Sequence, residues 1–335
     1  MKRLSPVTAV LILVLACGTG LLSGCAAGKW GYIDTSDKLV IQQKFNDETP
    51  FSEGLAAVKQ GDQWGYIDKS GNFVIQPHFE NAWVFRDGSA AVMENGKWGF
   101  IDKSGKFIIP PQYTMAYSFS EGLAPVDVSG KWGFIDKTGK MAIPPQFDFA
   151  YRFSEGLAEV KAGGKWGFID PAGQIVIKPQ YDGVLSFSEG LAAVIIGGKR
   201  GFIDKTGQMV IRPQFDMVLS FVDGLAPARF GTQWGYIDKT GKIAIQPQFE
   251  WALPFSEDLA PVKSGYYWGY IFKTGQYAIR PKYDGAFPFH EGLAMVKLGR
   301  ATGYVDKTGR YLRVLRGTAF SALFLQLRIP ACARG

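Results

Sequence analysis

Residues 131–140 read Lys131-Trp132-Gly133-Phe134-Ile135-Asp136-Lys137-Thr138-Gly139-Lys140, and this stretch returns every 34 residues along the chain. Trp30, Trp64, Trp98, Trp132, Trp166, Trp234 and Trp268 share the frame, each followed by Gly. Arg200 before Gly201 and Thr302 before Gly303 keep it without the Trp, so the array has nine units. A fixed period in this range means that each unit is a small block unable to bury its own apolar face, and that neighbours stack to make the core. Function is then expected on a repeated surface rather than in one pocket.

Within a unit the pattern is that of strands. The two-residue period puts Trp132, Phe134 and Asp136 on one face and Gly133 and Ile135 on the other. Asp136 to Gly139 places a hydrogen-bonding carboxylate first and glycine fourth, as a type I turn running into a left-handed glycine requires. A second strand carries Ile eleven residues after the Trp position in eight units, at Ile41, Ile75, Ile109, Ile143, Ile177, Ile211, Ile245 and Ile279, which marks a core slot. Pro follows two residues later from Pro77 to Pro281, ending ladder pairing or placing the strand at an edge. A third strand opens at Phe-Ser-Glu-Gly-Leu-Ala, as in Phe153 to Ala158, and runs through a Gly turn into the next Trp. The expected fold is all-β, tandem hairpin repeats in an open β-solenoid, with a β-propeller as the alternative.

Composition fits this expectation, with 47% hydrophobic residues, 42 Gly and 25 Phe in 335 residues. Residues 1–24 read as an export signal: Lys2 and Arg3, the apolar run Val10 to Ala16, then Leu22-Ser23-Gly24-Cys25. The apolar run is too short to span a bilayer. Leu-Ser-Gly-Cys resembles the lipobox of bacterial lipoproteins, which implies a lipidated Cys25 and a short anchored segment, 25–29, before the repeats at 30–310. Five residues from Cys25 to Trp30 reach at most about 18 Å, so the first unit is expected close to the membrane. Ala26 lacks the Asp that, by resemblance to enteric lipoproteins, signals inner-membrane retention; the outer membrane or cell surface is favoured. With Cys17 in the signal and Cys25 lipidated, only Cys332 remains and no disulfide framework is available. Loss of Lys2 and Arg3 lowers the formal charge from +7 to +5, and the lysines are spread evenly enough to read as solvated turns. Arg313 breaks the Ile column, and residues 311–335 read as a cap or a basic tail.

The ten-residue stretch and its recurrences resemble the repeat of the bacterial WG (KWG) repeat proteins. That resemblance implies a β-rich repeat protein, often associated with the cell envelope, and names no reaction. Trp132, Phe134, Asp136 and Gly139 are also similar in spacing to the wall-binding repeats of choline-binding proteins, although the period here is 34. That similarity implies aromatic cages for a quaternary ammonium group. On it Trp64, Trp98, Trp132, Trp166, Trp234 and Trp268 form a candidate ligand face, against the alternative that they are core.

Catalysis needs an asymmetric constellation, and polar residues repeated in frame offer little. Asp34, Asp68, Asp102, Asp136, Asp170, Asp204, Asp238 and Asp306 form one carboxylate row, and Glu53, Glu121, Glu155, Glu189, Glu257 and Glu291 form another. Paired carboxylates do the work of glycoside hydrolysis, but no pair is set apart, and turn capping accounts for both rows. His78 and His290 stand alone in loop positions, and no metal-ligand spacing is found. Calcium at loop oxygens would need a denser loop. Nucleic acid is not expected as a partner, because the chain reads as exported and has no basic stripe interleaved with aromatics. No catalytic residue, cofactor or metal is expected. The chain reads as a non-enzymatic envelope lipoprotein that meets the membrane through its anchor and binds a cell-wall glycan or a surface protein, with a ligand-free spacer as the alternative and a glycoside hydrolase as a distant third.

Overall fold

The computed structural model describes residues 30–33, 39–290, 292–299, 301–312 and 320–322. The signal segment, Cys25, the 25–29 linker and most of 311–335 lie outside the described residues. The described residues are all-β, with eight four-stranded antiparallel sheets in tandem and one three-stranded sheet.

One sheet shows how the others are built. Its strands are Met115–Ala116, Leu123–Val128, Lys131–Asp136 and Met141–Phe147, in that spatial order. Leu123 to Val128 pair residue by residue with Asp136 to Lys131, a hairpin closed by the positive-φ pair Ser129 and Gly130. Each sheet therefore straddles the Trp, combining the end of one 34-residue unit with the start of the next. The expected three strands per unit become four with the two-residue strand, and the sheet is out of phase with the sequence repeat.

The Trp-Gly pair has a steric cause. Phe134 pairs with Ile143 and Trp132 with Phe147, so the edge strand holds a bulge of extra residues that includes Pro144 and Pro145. There the edge backbone crosses directly over Gly133, where an added Cβ would lie 2.5 Å from the Ile143 carbonyl oxygen and 2.8 Å from the Pro145 nitrogen. Only glycine admits that approach. Proline is tolerated because the strand is at the sheet edge and needs no ladder donor at the bulge.

Both faces of the sheet are buried. Phe134 packs with Ile143, Phe153 and Ile169 on one side, and Ile135 packs with Phe100, Ile109 and Phe119 on the other. Adjacent sheets thus share one core layer, as stacking of incomplete blocks requires. The Ile column faces the next unit's turn: Ile109 sits 3.2 Å from where a Cβ on Gly139 would stand. That turn has the expected form, with the Gly139 N–H donating to the Asp136 carbonyl at 3.0 Å and Gly139 at φ 84°.

Candidate functional site

The tryptophan column does not form a continuous outward face. Trp98, Trp132 and Trp234 are buried, and Trp64, Trp166 and Trp268 are half-buried. The cause is their place on an interior strand of the sheet, where rings from the flanking segments cover them: Phe149 lies 4.7 Å and Tyr117 5.4 Å from Trp132. A ligand face drawn through the whole column is corrected accordingly, since three of its members are core and the other three are half-buried.

Among the described residues both carboxylate rows cap turns. Asp136 Oδ1 accepts the Thr138 hydroxyl at 2.6 Å, the Thr138 N–H at 2.9 Å and the Lys140 N–H at 3.1 Å, and the Thr138 hydroxyl leads the causes that hold its pKa below the ordinary value. The Glu row caps the turn of the following unit instead of its own. Glu121 accepts the Gly156 N–H at 2.9 Å, and Glu257 that of Gly292 at 3.0 Å. Glu53, Glu121, Glu155 and Glu189 sit at positive φ before a positive-φ Gly, as in Glu155 at 54° and Gly156 at 85°, a two-residue turn of the mirror-image type, and Glu257 sits before Asp258 at 72°. Among the described residues no group of three His, Cys, Asp or Glu could hold a metal ion. His78 is exposed with Nδ1 2.7 Å from the Gln76 carbonyl, and His290 is half-buried in the corresponding turn.

What breaks the repeat is an aromatic belt. Trp83, Tyr117 and Tyr151 occupy one column, in the slot that holds Leu185, Leu219 and Leu253 further on. Trp83 stacks on Trp98 at 6.0 Å, Tyr117 on Trp132 at 5.4 Å, and Tyr151 on Trp166 at 5.6 Å with planes 14° apart. Trp83 to Tyr117 at 6.4 Å and Tyr117 to Tyr151 at 6.3 Å join these pairs into one run of rings. Trp83, Tyr117, Phe149, Tyr151 and Trp166 each keep part of the ring in solvent. The run ends where Leu185 replaces the Tyr and Arg200 replaces the Trp. Sequence reading followed the Trp column and missed this one, although its signal was present as three consecutive aromatics in a slot that elsewhere holds Thr49, three Leu and Phe287.

Beside the belt lies a polar cluster with no counterpart in other units. Glu159 is buried where other units carry Ala57, Ala91, Pro125, Ala193, Pro227, Pro261 and Met295. Burial pushes its pKa up to about 7 against the lowering effects of the Ser186 hydroxyl and the Arg152 charge, and Oε2 has no hydrogen-bond partner. Arg152 occupies a slot of Pro, Val and Ser elsewhere. Desolvation, then the charge of Arg86, lowers its pKa to about 10. Tyr117 feels the charge of Arg152, and its hydroxyl is raised by burial against that pull.

The WG containing repeat matches residues 30–64, 64–98, 98–132, 132–166, 166–199, 201–231, 234–268 and 268–300. This chain belongs to the WG-repeat family. No curated protein matches it in sequence. Among solved structures it is similar to a eukaryotic initiation factor at 12% identity, covering 84% of this chain and 92% of that one with a TM-score of 0.62. It is also similar to the dihydro-heme d1 dehydrogenase NirN at 12% identity, covering 93% and 83% with a TM-score of 0.49. Hsv2p of Kluyveromyces lactis matches at 9% identity, covering 78% and 92% with a TM-score of 0.41. At these identities the first likeness speaks to the fold alone, and the other two carry no argument.

Proposed function

We propose that this WG-repeat protein is a non-enzymatic binding module of the cell envelope, anchored through Cys25, that holds an extended wall glycan along the aromatic belt. The observation that carries the reading is the run of part-exposed rings from Trp83 through Tyr117 and Tyr151 to Trp166. Sugar rings present apolar C–H faces that pack on aromatic rings, and consecutive rings multiply weak contacts along one polymer. Repetition supplies that spacing without a deep pocket. The anchor and the outer-membrane or surface location rest on the sequence at residues 1–26. Co-sedimentation of the full mature chain carrying Cys25→Ala with purified peptidoglycan and wall polysaccharide tests the reading. Saturable pelleting supports it, and absence of pelleting removes the glycan and leaves a protein partner or a spacer.

A closed arrangement of the sheets is favoured by one pairing. Gly31, Tyr32 and Ile33 pair in parallel with Phe320, Ser321 and Ala322, on the edge of the Trp30–Ile33 strand where complete sheets carry the strand preceding the Trp. Eight residues from Leu312 to Phe320 reach at most about 29 Å. Nine sheets stacked in a straight line at about 10 Å each would separate the ends by about 80 Å. The ring is therefore favoured over the open solenoid.

A further inference from the structure

We infer that one arc of the hairpin-tip rim, carrying Ile196, Phe230, Tyr266, Tyr267 and Leu298, seats on a lipid surface and orients the protein on its membrane. The inference rests on the Cys25 anchor and the ring proposed above. Each complete sheet has a tip where the strand before the Trp position turns into the next, as Val128 pairs with Lys131 across Ser129 and Gly130. Consecutive tips lie side by side. Lys165 of one tip bonds Asp182 at 2.6 Å, and the other oxygen of Asp182 accepts the Gly197 N–H of the next tip at 2.9 Å. Lys199 and Gly231 repeat this on Asp216 at 2.7 and 3.0 Å. The described chain enters at the same rim, because Trp30 pairs with Phe45 as Trp132 pairs with Phe147, which puts residue 30 where the Trp strand leaves a tip. Cys25 is then within about 18 Å of the rim. In the ring the Leu298 tip is the neighbour of the Trp30 strand.

Exposed apolar side chains gather in that arc. Tyr266 is 88% and Tyr267 48% exposed, in tip slots that elsewhere hold Asp62, Thr232 or Gly and then Lys, Gln or Ala. Lys131, Lys165 and Lys199 in the second slot each pair with an acid of the next unit, an ion pair that Tyr267 cannot make. Ile196 and Leu298 are exposed and Phe230 half-buried in a slot where the first two tips carry Gln60 and Glu94. The four tips of the arc, 196–199, 230–233, 264–267 and 298–301, hold no acidic residue, so an anionic headgroup layer meets no carboxylate there. Tyrosine, an apolar ring with a polar end, concentrates at membrane–water interfaces, and apolar side chains seated there add to a lipid anchor. The belt from Trp83 to Trp166 belongs to the sheets of the other arc, where among the described residues Val128 alone is a large apolar side chain exposed at a tip, so seating leaves the belt free for a polymer.

The experiment places the acylated full mature protein in vesicles of phosphatidylethanolamine and phosphatidylglycerol that carry a headgroup-linked quencher. A fluorescent label is set at Thr232→Cys on a tip or at Lys242→Cys beyond the other end of the same Trp strand, with Cys332→Ser in both. The tip label is expected to be quenched several-fold more than the other, and Tyr266→Ser with Tyr267→Ser should bring the two close together. Equal quenching, stronger quenching at Lys242→Cys, or a ratio that the Ser pair leaves unchanged overturns the inference. If mass spectrometry finds no acyl chain on Cys25, the anchor fails separately, and the arc is judged by flotation of the full mature Cys25→Ala chain with the same vesicles. The Ser pair should weaken that flotation by about tenfold, the scale of roughly 60 Å² of apolar surface returned to water. Flotation that is absent, or unchanged in the Ser pair, overturns the arc.

Discussion

The carboxylate of Glu155 accepts the backbone N–H groups of Glu189 at 2.6 Å and of Gly190 at 3.0 Å, one unit further along the chain. Lys205 closes the arrangement at 3.2 Å from the same carboxylate. A side chain of one turn thereby satisfies the orphan donors of the next, and the units are tied at their turns as well as through their cores.

Burial opposes ionisation of Glu155, but the Gly190 N–H and Lys205 outweigh it and hold the pKa below its ordinary value. A depressed carboxylate stabilises the fold above its unfolded pKa and loses that contribution as pH falls through the folded value. Glu155→Gln should therefore cost about 1 kcal/mol at pH 7, a cost that shrinks in acid. Chemical denaturation at pH 7 and pH 3 checks this.

Gly133→Ala should cost about 2 kcal/mol or more, because the added methyl meets rigid backbone at the Ile143 carbonyl. The same change at Gly122, whose Cβ would meet nothing within 4 Å, adds only the strain of its positive φ of 83° and should cost less. Thermal unfolding of the two variants gives the order.

Glu159 should oppose the others in sign. Its folded pKa of about 7 lies above the ordinary 4.5, so the folded state binds more protons between those values and stability falls as pH rises through that window. Glu159→Gln should abolish this slope and stabilise the protein above pH 7 by an amount on the order of 3 kcal/mol. Denaturant midpoints from pH 5 to pH 8 test it.

Closure of the array predicts proximity of its ends. Spin labels at Lys44 and Thr308, with Cys25 and Cys332 replaced by Ser, should lie within about 35 Å in a ring and about 80 Å apart in a straight stack. A distance distribution centred beyond about 60 Å would contradict closure.

Strands, the Asp turn, the Ile core slot and the family were legible because each is a periodic constraint that nine copies restate. The hairpin that joins the strand before Trp132 to the Trp strand was legible from its Gly turn, whereas the points at which the ribbon of hairpins divides into separate sheets were not, since a 34-residue period is the same wherever the unit is cut. The reason for Gly133 was hidden as well, because it lies in the bulge around Pro145 on another strand. Consensus residues drew attention to the Trp column, which is largely core, while Glu159, Arg152 and Tyr117 depart from their columns and gather in one place. In a repeat protein the exceptions carry the site, and they are visible only when each column is read for its outliers.

The most direct test compares Tyr117→Ala with Trp251→Ala in saturable pelleting on wall polysaccharide. Both residues are half-buried aromatics, but Tyr117 belongs to the belt and Trp251 pairs with Trp234 outside it. With both variants folded, the account predicts that Tyr117→Ala weakens binding by about tenfold, one stacking contact, and that Trp251→Ala leaves it unchanged. Equal binding by the two variants, or a loss confined to Trp251→Ala, would contradict the belt as the ligand face.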